Sequence, residues 1–182
     1  NAGPVLQVPI LDRGFLEDAA SISFTLPTGT FTDADSPGLT LSAQLVGGGS
    51  LPSWLSFDAA TGTFSGTPPA NFNGTLNIRV TASDGDLSAY DDFVLSLVPV
   101  NDTPTGGISL SGTARQGQVL SAVTSALADA DGLGTLSYQW LRNGQVISGA
   151  TGATFTLGQA DVGAAISVRV SYTDGQGTAE RS

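Results

Sequence analysis

Apolar and polar residues alternate along much of this chain. Over residues 75–82, Leu76, Ile78, Val80 and Ala82 fall on one side, and Thr75, Asn77, Arg79 and Thr81 on the other. The stretch DFVLSLVPV places Phe93, Leu95 and Leu97 together, and AISVRVSY does the same with Ile166, Val168, Val170 and Tyr172. A period of two sustained over five or more residues predicts strands with one buried face. Shorter runs of the same kind predict further strands: SISFTL, LTLSAQL, TFSGT, ISLSG, LSYQWLRN, QVIS and TFTL. No window carries a convincing helical period; TSALADAD comes nearest and is short. Many short strands separated by Gly, Asp and Pro turns predict an all-β chain of β-sandwiches.

The pattern also repeats at long range. Asn1-Ala-Gly-Pro returns as Asn101-Asp-Thr-Pro, a spacing of 100 residues. Asp33-Ala-Asp35 returns as Asp129-Ala-Asp131 after 96, and the Asp-Gly turn at Asp84 returns at Asp174 after 90. The order is the same in both halves, which predicts two tandem domains of similar build. The expected boundaries are 1–102 and 103–182, with a linker at about 99–106 around VNDTPTGG. Each half then has a usual size for a β-sandwich. The start at NAGP and the stop at TAERS read as those of a segment from a longer protein.

Composition narrows the function classes. Sixteen Asp and Glu face six Arg, with no Lys, for a formal net charge of −10. Nucleic acid and anionic membrane both call for a basic surface, so neither is an expected partner. No run approaches a membrane span. Cys and His are both absent, which disfavours zinc and removes the familiar bases for a serine or thiol nucleophile. The paired acids lie two residues apart in repeated loops, with no pocket-forming insertion beside them, so an enzyme is not expected.

The acids instead suit a hard cation. Fourteen of the sixteen are Asp, the short carboxylate that favours turns and calcium loops. One isolated Asp-x-Asp pair is read as a turn whose carboxylates accept backbone N–H bonds. Two copies, each followed at similar distance by an Asp-Gly turn, are read as calcium ligands. An EF-hand does not fit: counting from Asp33, position 5 is Pro37 and position 12 is Gln44, where a bidentate Glu is required; counting from Asp129, position 12 is Trp140. The glycine-rich nonapeptide of calcium β-rolls is absent too. Asp86, Asp91 and Asp92 are read as solubilising a hairpin, Asp58, Asp161 and the Asn73-Gly-Thr sequence as turns, and Trp54 as core beside Leu51, Leu55 and Phe57.

Residues 10–104 resemble a bacterial cadherin-like domain of the dystroglycan type, through LEDAASISFTLPTGTFTDAD, LPSWLSFDAATGTFSGTP, VTASDG and VNDTP. Residues 106–182 resemble the immunoglobulin-like repeat that follows such domains in large calcium-dependent surface adhesins of Gram-negative bacteria of the RTX type. The carrying pieces are ADADGLGTLSYQW, ISGATGATFTL, ADVG and VSYTDGQGTAE, with Trp140 similar to the core tryptophan of strand C. The resemblance implies two Greek-key sandwiches, cadherin-like and then immunoglobulin-like. It also implies a ligand set: Glu17, Asn101, Asp102, Asp129, Asp131 and Asp174 for calcium at the linker, and Asn1, Asp33, Asp35 and Asp84 for a second site at the N-terminal end. The Leu-Asp-Arg-Glu element of animal cadherins is missing, GTPPANFNG standing in its place, and Ala2 stands where a linker Asp is expected.

The function so implied is a calcium-rigidified extender segment of a secreted bacterial surface adhesin, acting as a monomer with neighbouring domains of its own chain as partners. The alternative is a calcium-dependent carbohydrate- or peptide-binding module, its partner a cell-surface glycan or protein, with Trp54 and Tyr90 as the candidate contacts. Homotypic adhesion ranks lower, because PVLQVPIL lacks a strand-swap tryptophan.

Overall fold

The three long alternating stretches are strands, and their inward apolar positions are buried or half-buried. The computed structural model describes residues 1–36 and 38–182; Pro37, which enters the EF-hand count above, lies outside the described residues. The chain divides into two compact units, Asn1–Val100 and Asn101–Ser182.

Unit 1 contains β1 (Val5–Leu6), β2 (Arg13–Leu16), β3 (Ile22–Thr25), β4 (Phe31–Thr32), β5 (Thr40–Leu45), β6 (Leu55–Asp58), β7 (Thr63–Gly66), β8 (Gly74–Ser83) and β9 (Ser88–Val98). One sheet runs β2-β9-β8-β5 and the other β3-β7-β6, while β1 and β4 form a small ribbon. The long β8–β9 hairpin pairs from Ser83 opposite Ser88 to Gly74 opposite Leu97. The pairing of β2 with β9 is parallel, Arg13 to Leu16 lying along Leu95 to Val98. Ile78, Val80, Phe93 and Leu95 from one sheet meet Ile22, Leu55 and Phe64 from the other in a single core. Phe64 is its centre, with ring centroids 5.0 Å from Phe24, 4.6 Å from Phe57 and 5.5 Å from Phe93. Offset and edge-on aromatic contacts of this kind add to the area they bury.

Unit 2 contains β10 (Ser109–Gly112), β11 (Val119–Val123), β12 (Ser137–Arg142), β13 (Gln145–Val146), β14 (Thr154–Thr156), β15 (Ile166–Thr173) and β16 (Ala179–Arg181), with one 3₁₀ turn at Gln159–Asp161. Its sheets are β10-β11-β14 and β13-β12-β15-β16. Fully buried Trp140 ties the two together: its ring stacks on Phe155 of the facing sheet at 5.4 Å, and its indole N–H donates to the Gly152 carbonyl at 2.9 Å. TSALADAD is not helical; Ala128 within it bridges Thr105.

Candidate metal centres

The Asp-x-Asp loops follow one plan in both units. In unit 1, Asp33 Oδ1 accepts the N–H groups of Asp35 (3.0 Å) and Ser36 (3.1 Å). In unit 2, Asp129 Oδ1 accepts the N–H of Asp131 at 2.9 Å. These bonds close a turn around the first carboxylate and leave the second to face elsewhere. Asp35 Oδ2 accepts the N–H of Ala2 at 2.9 Å, and Asp131 Oδ2 accepts that of Asp102 at 2.6 Å. Residues 2 and 102 are equivalent in the repeat, so each unit fastens its first residues to the second Asp of its own pair.

The Asp-Gly turns are matched as well. Asp84 Oδ1 accepts from the backbone of Asp86 (2.8 Å) and Leu87 (2.7 Å), and Asp174 Oδ1 from Gln176 (2.8 Å) and Thr178 (2.7 Å). The glycine that follows serves different ends. Gly85 takes a left-handed φ of +106° with open space around it. Gly175 donates its N–H to the Asp131 carbonyl at 3.0 Å, and a side chain there would collide with that carbonyl. In unit 2 the dipeptide therefore seats the Asp174 loop directly on the Asp129–Asp131 loop.

Two of these carboxylates are incompletely satisfied. Asp33 Oδ2 and Asp174 Oδ2 are both shielded from solvent with no hydrogen-bond donor, and Asp174 as a residue is only 6% exposed. A buried carboxylate oxygen without a donor is costly, and a hard cation is what such an oxygen suits. Hydrogen bonds hold the neighbouring acids in their charged form. The Ala2 N–H lowers the Asp35 carboxyl below the usual carboxylate range, and the Leu87 and Asp86 N–H groups lower that of Asp84.

The remaining predicted residues are placed as follows. Asn1 donates from its amide to Asp84 Oδ2 at 3.1 Å, and Asp35 lies beside both Asp33 and Asp84, so Asn1, Asp33, Asp35 and Asp84 gather at one end of unit 1. Glu17 is almost fully buried in unit 1 and binds protein groups through both oxygens: the Val100 N–H at 2.8 Å and the Asn73 amide at 2.9 Å. Asn101 belongs to unit 2 and gives its amide to Glu180 at 3.0 Å.

Several participants were not visible as such in the sequence. The Tyr172 hydroxyl donates to Asp129 Oδ2 at 2.6 Å, and burial, reinforced by that carboxylate, raises its pKa well above the usual range. Gln176 donates to Asp131 Oδ1 at 2.7 Å. Asn73, read as a turn residue, is a partner of Glu17. Asp161, also read as a turn residue, is buried and paired with Arg142 at 2.6 Å, while the Gly158 N–H chiefly lowers its pKa. Asp91 and Asp92 have specific partners too, the Ile10 N–H at 2.7 Å and Arg79 at 2.7 Å. Trp54 packs half-buried against the unit 1 core, edge-on to Phe72 at 6.1 Å. Tyr90 is 55% exposed, but the Arg79 guanidinium covers one ring face at 3.8 Å.

The profile of the "Putative Ig domain" family matches residues 6–98. The chain belongs to this family. A search of curated proteins gave no match. Among solved structures, this Ig-family chain is similar to human protocadherin-24 EC1-2 over 100% of its own length and 95% of that chain, at 17% identity and a TM-score of 0.53. It is also similar to the Ig1-2 module of the Drosophila receptor protein tyrosine phosphatase DLAR, over 98% of its length and 94% of that chain, at 12% identity and a TM-score of 0.40. A "putative alpha-galactosidase" from Bacteroides fragilis is similar over 53% of this chain, which spans 18% of that protein, at 18% identity and a TM-score of 0.40. The fold class is all-β, of cadherin-like and immunoglobulin-like β-sandwich type. No helix among the described residues is long and apolar enough to cross a membrane.

Proposed function

We propose that this chain is a calcium-binding structural segment of an extracellular protein, an extender of a bacterial surface adhesin, and that it does no chemistry of its own. The observation that carries this reading is the buried, donor-free Oδ2 of Asp174, seated where Gly175 locks the Asp174 loop onto Asp131. Calcium takes 6–8 oxygen ligands and tolerates irregular geometry. Asp129, Asp131 and Asp174 would supply carboxylates, with Asp102 beside Asp131. Asn101 joins the proposed set as the chain neighbour of Asp102, and Glu17 holds the N–H of Val100 within unit 1. Asn1, Asp33, Asp35 and Asp84 form the second proposed set in unit 1.

The mechanism is electrostatic. Without metal, clustered carboxylates repel one another across the loops that begin each unit. A divalent cation replaces that repulsion with attraction and restricts the loops, and through them the Val100–Asn101 joint. Binding to the folded form alone stabilises it by mass action. Isothermal titration with calcium tests this directly. Saturable heat, a melting temperature that rises with calcium and reversal by chelator are expected. The absence of both heat and stabilisation would overturn the proposal.

A further inference from the structure

Tyr172 belongs to the apolar cluster of Leu127 and Val170 in unit 2, with Ile108, Leu136 and Tyr138 packed around it. It is 5% exposed, and its hydroxyl leaves the cluster toward Asp129 Oδ2, 2.6 Å away. A buried hydroxyl needs a partner, and a short bond to a carboxylate is among the stronger ones available.

Asp129 is thereby held at both oxygens. Oδ1 accepts the Asp131 N–H at 2.9 Å, and Oδ2 accepts from Tyr172. Donors on both oxygens fix the carboxylate about both of its side-chain torsions. A carboxylate has about four acceptor sites, so these two bonds leave others open and leave the charge in place. Asp131 is held in the same way, by Gln176 at Oδ1 and by the Asp102 N–H at Oδ2. Asp174 differs, because its buried Oδ2 has no donor. The same pair of loops therefore carries two carboxylates aimed in advance and one open oxygen.

Unit 1 supplies the comparison. Tyr172 stands two residues before Asp174; two residues before Asp84 stands Ala82, fully buried and without a hydroxyl. There the first Asp of the pair lacks a second anchor. Asp33 Oδ1 accepts from Asp35 and Ser36, while Oδ2 is shielded from solvent with no donor. The donor-free oxygen on the first Asp occurs in the unit that lacks the tyrosine.

We propose that Tyr172 is a positioning residue for calcium in unit 2, acting through Asp129, and that unit 1 binds without a counterpart. The inference rests on the calcium reading above. The hydroxyl holds Asp129 in the orientation an ion uses, so less ordering remains to be done on binding.

The test is a calcium titration of the full chain followed by amide shifts. Gly132 and Gly175 report on unit 2, and Gly85 on unit 1. Tyr172→Phe keeps the ring and removes the donor. It should weaken binding at unit 2 by about tenfold or more, the usual cost of losing the outer partner of a ligand, and leave unit 1 within about twofold. Val170→Ala thins the same cluster and leaves the hydroxyl in place. It should lower Tm in chelator and leave the affinity of unit 2 unchanged. Equal or tighter binding at unit 2 in Tyr172→Phe would overturn the proposal. So would an equal loss of affinity in Val170→Ala, which would make the role of Tyr172 one of packing. A parent chain whose Gly132 and Gly175 amides do not respond to calcium would overturn the calcium reading for unit 2, and this inference with it.

Discussion

Asp174→Asn separates a ligand from a turn residue by the sign of its effect. The Asn side chain keeps an oxygen that can accept from Gln176 and Thr178, at the positions now 2.8 and 2.7 Å from Oδ1. It replaces the donor-free Oδ2 and removes a buried charge. An unsatisfied buried acceptor costs about 1–3 kcal/mol, so in chelator the variant should equal or exceed the parent in stability. Calcium should reverse the order. With a dissociation constant of about 10⁻⁴ M, as in extracellular modules, about 10 mM calcium is a hundredfold excess and stabilises the parent by about 2.7 kcal/mol. For a unit of this size that is roughly 10–20 °C in Tm. If losing one carboxylate weakens binding tenfold, the gain falls to about 1.4 kcal/mol. Unit 2 can be followed by Trp140 fluorescence in a Trp54→Phe background, since these are the two tryptophans. Equal calcium gains in parent and variant would refute the reasoning, as would a variant that is less stable in chelator by more than about 1 kcal/mol.

Three further outcomes follow from packing and charge. Gly175→Ala forces the Asp174 loop off the Asp131 carbonyl; calorimetry should show weakened calcium binding while near-ultraviolet circular dichroism of the Trp140 core is retained. Phe64→Ala removes the ring at the centre of the unit 1 aromatic cluster and should cost about 3–5 kcal/mol by denaturant melting, because the site is fully buried. The Asp161 carboxyl titrates below its unfolded value. Its contribution is therefore complete above the ordinary Asp pKa and is lost as pH falls through the lower, folded pKa. Unit 2 of the parent should lose stability through that acid range, and Asp161→Asn, less stable at neutral pH, should show a shallower dependence in acid titrations of Tm.

Strand alternation was legible because it records burial directly. The residues grouped on one side in 75–82 and 93–97 are the ones facing the unit 1 core, and those of 166–172 face the core of unit 2. The two-fold repeat was legible because equivalent loops need the same short carboxylates at the same points. Partners distant in sequence were not. Nothing in the local pattern ties Asn73 to Glu17 or Arg142 to Asp161, 56 and 19 residues apart. Period two placed the Tyr172 ring on the inner face but carried no information about where its hydroxyl finds an acceptor. The glycine of each Asp-Gly turn read identically in both halves, yet one answers to φ and the other to a neighbouring carbonyl. Only the folded backbone distinguishes them.

The parallel pairing of β2 and β9 has a mechanical consequence. A pull transmitted along the chain drags β2 from its N-terminal end and β9 from its C-terminal end. Because the strands run the same way, these forces oppose each other along one shared seam, Arg13–Leu16 against Leu95–Val98. The seam is sheared as a block rather than peeled rung by rung, and every bond across it bears tension at once. Unit 1 should therefore yield to force slowly, at a rate set by its unfolding barrier.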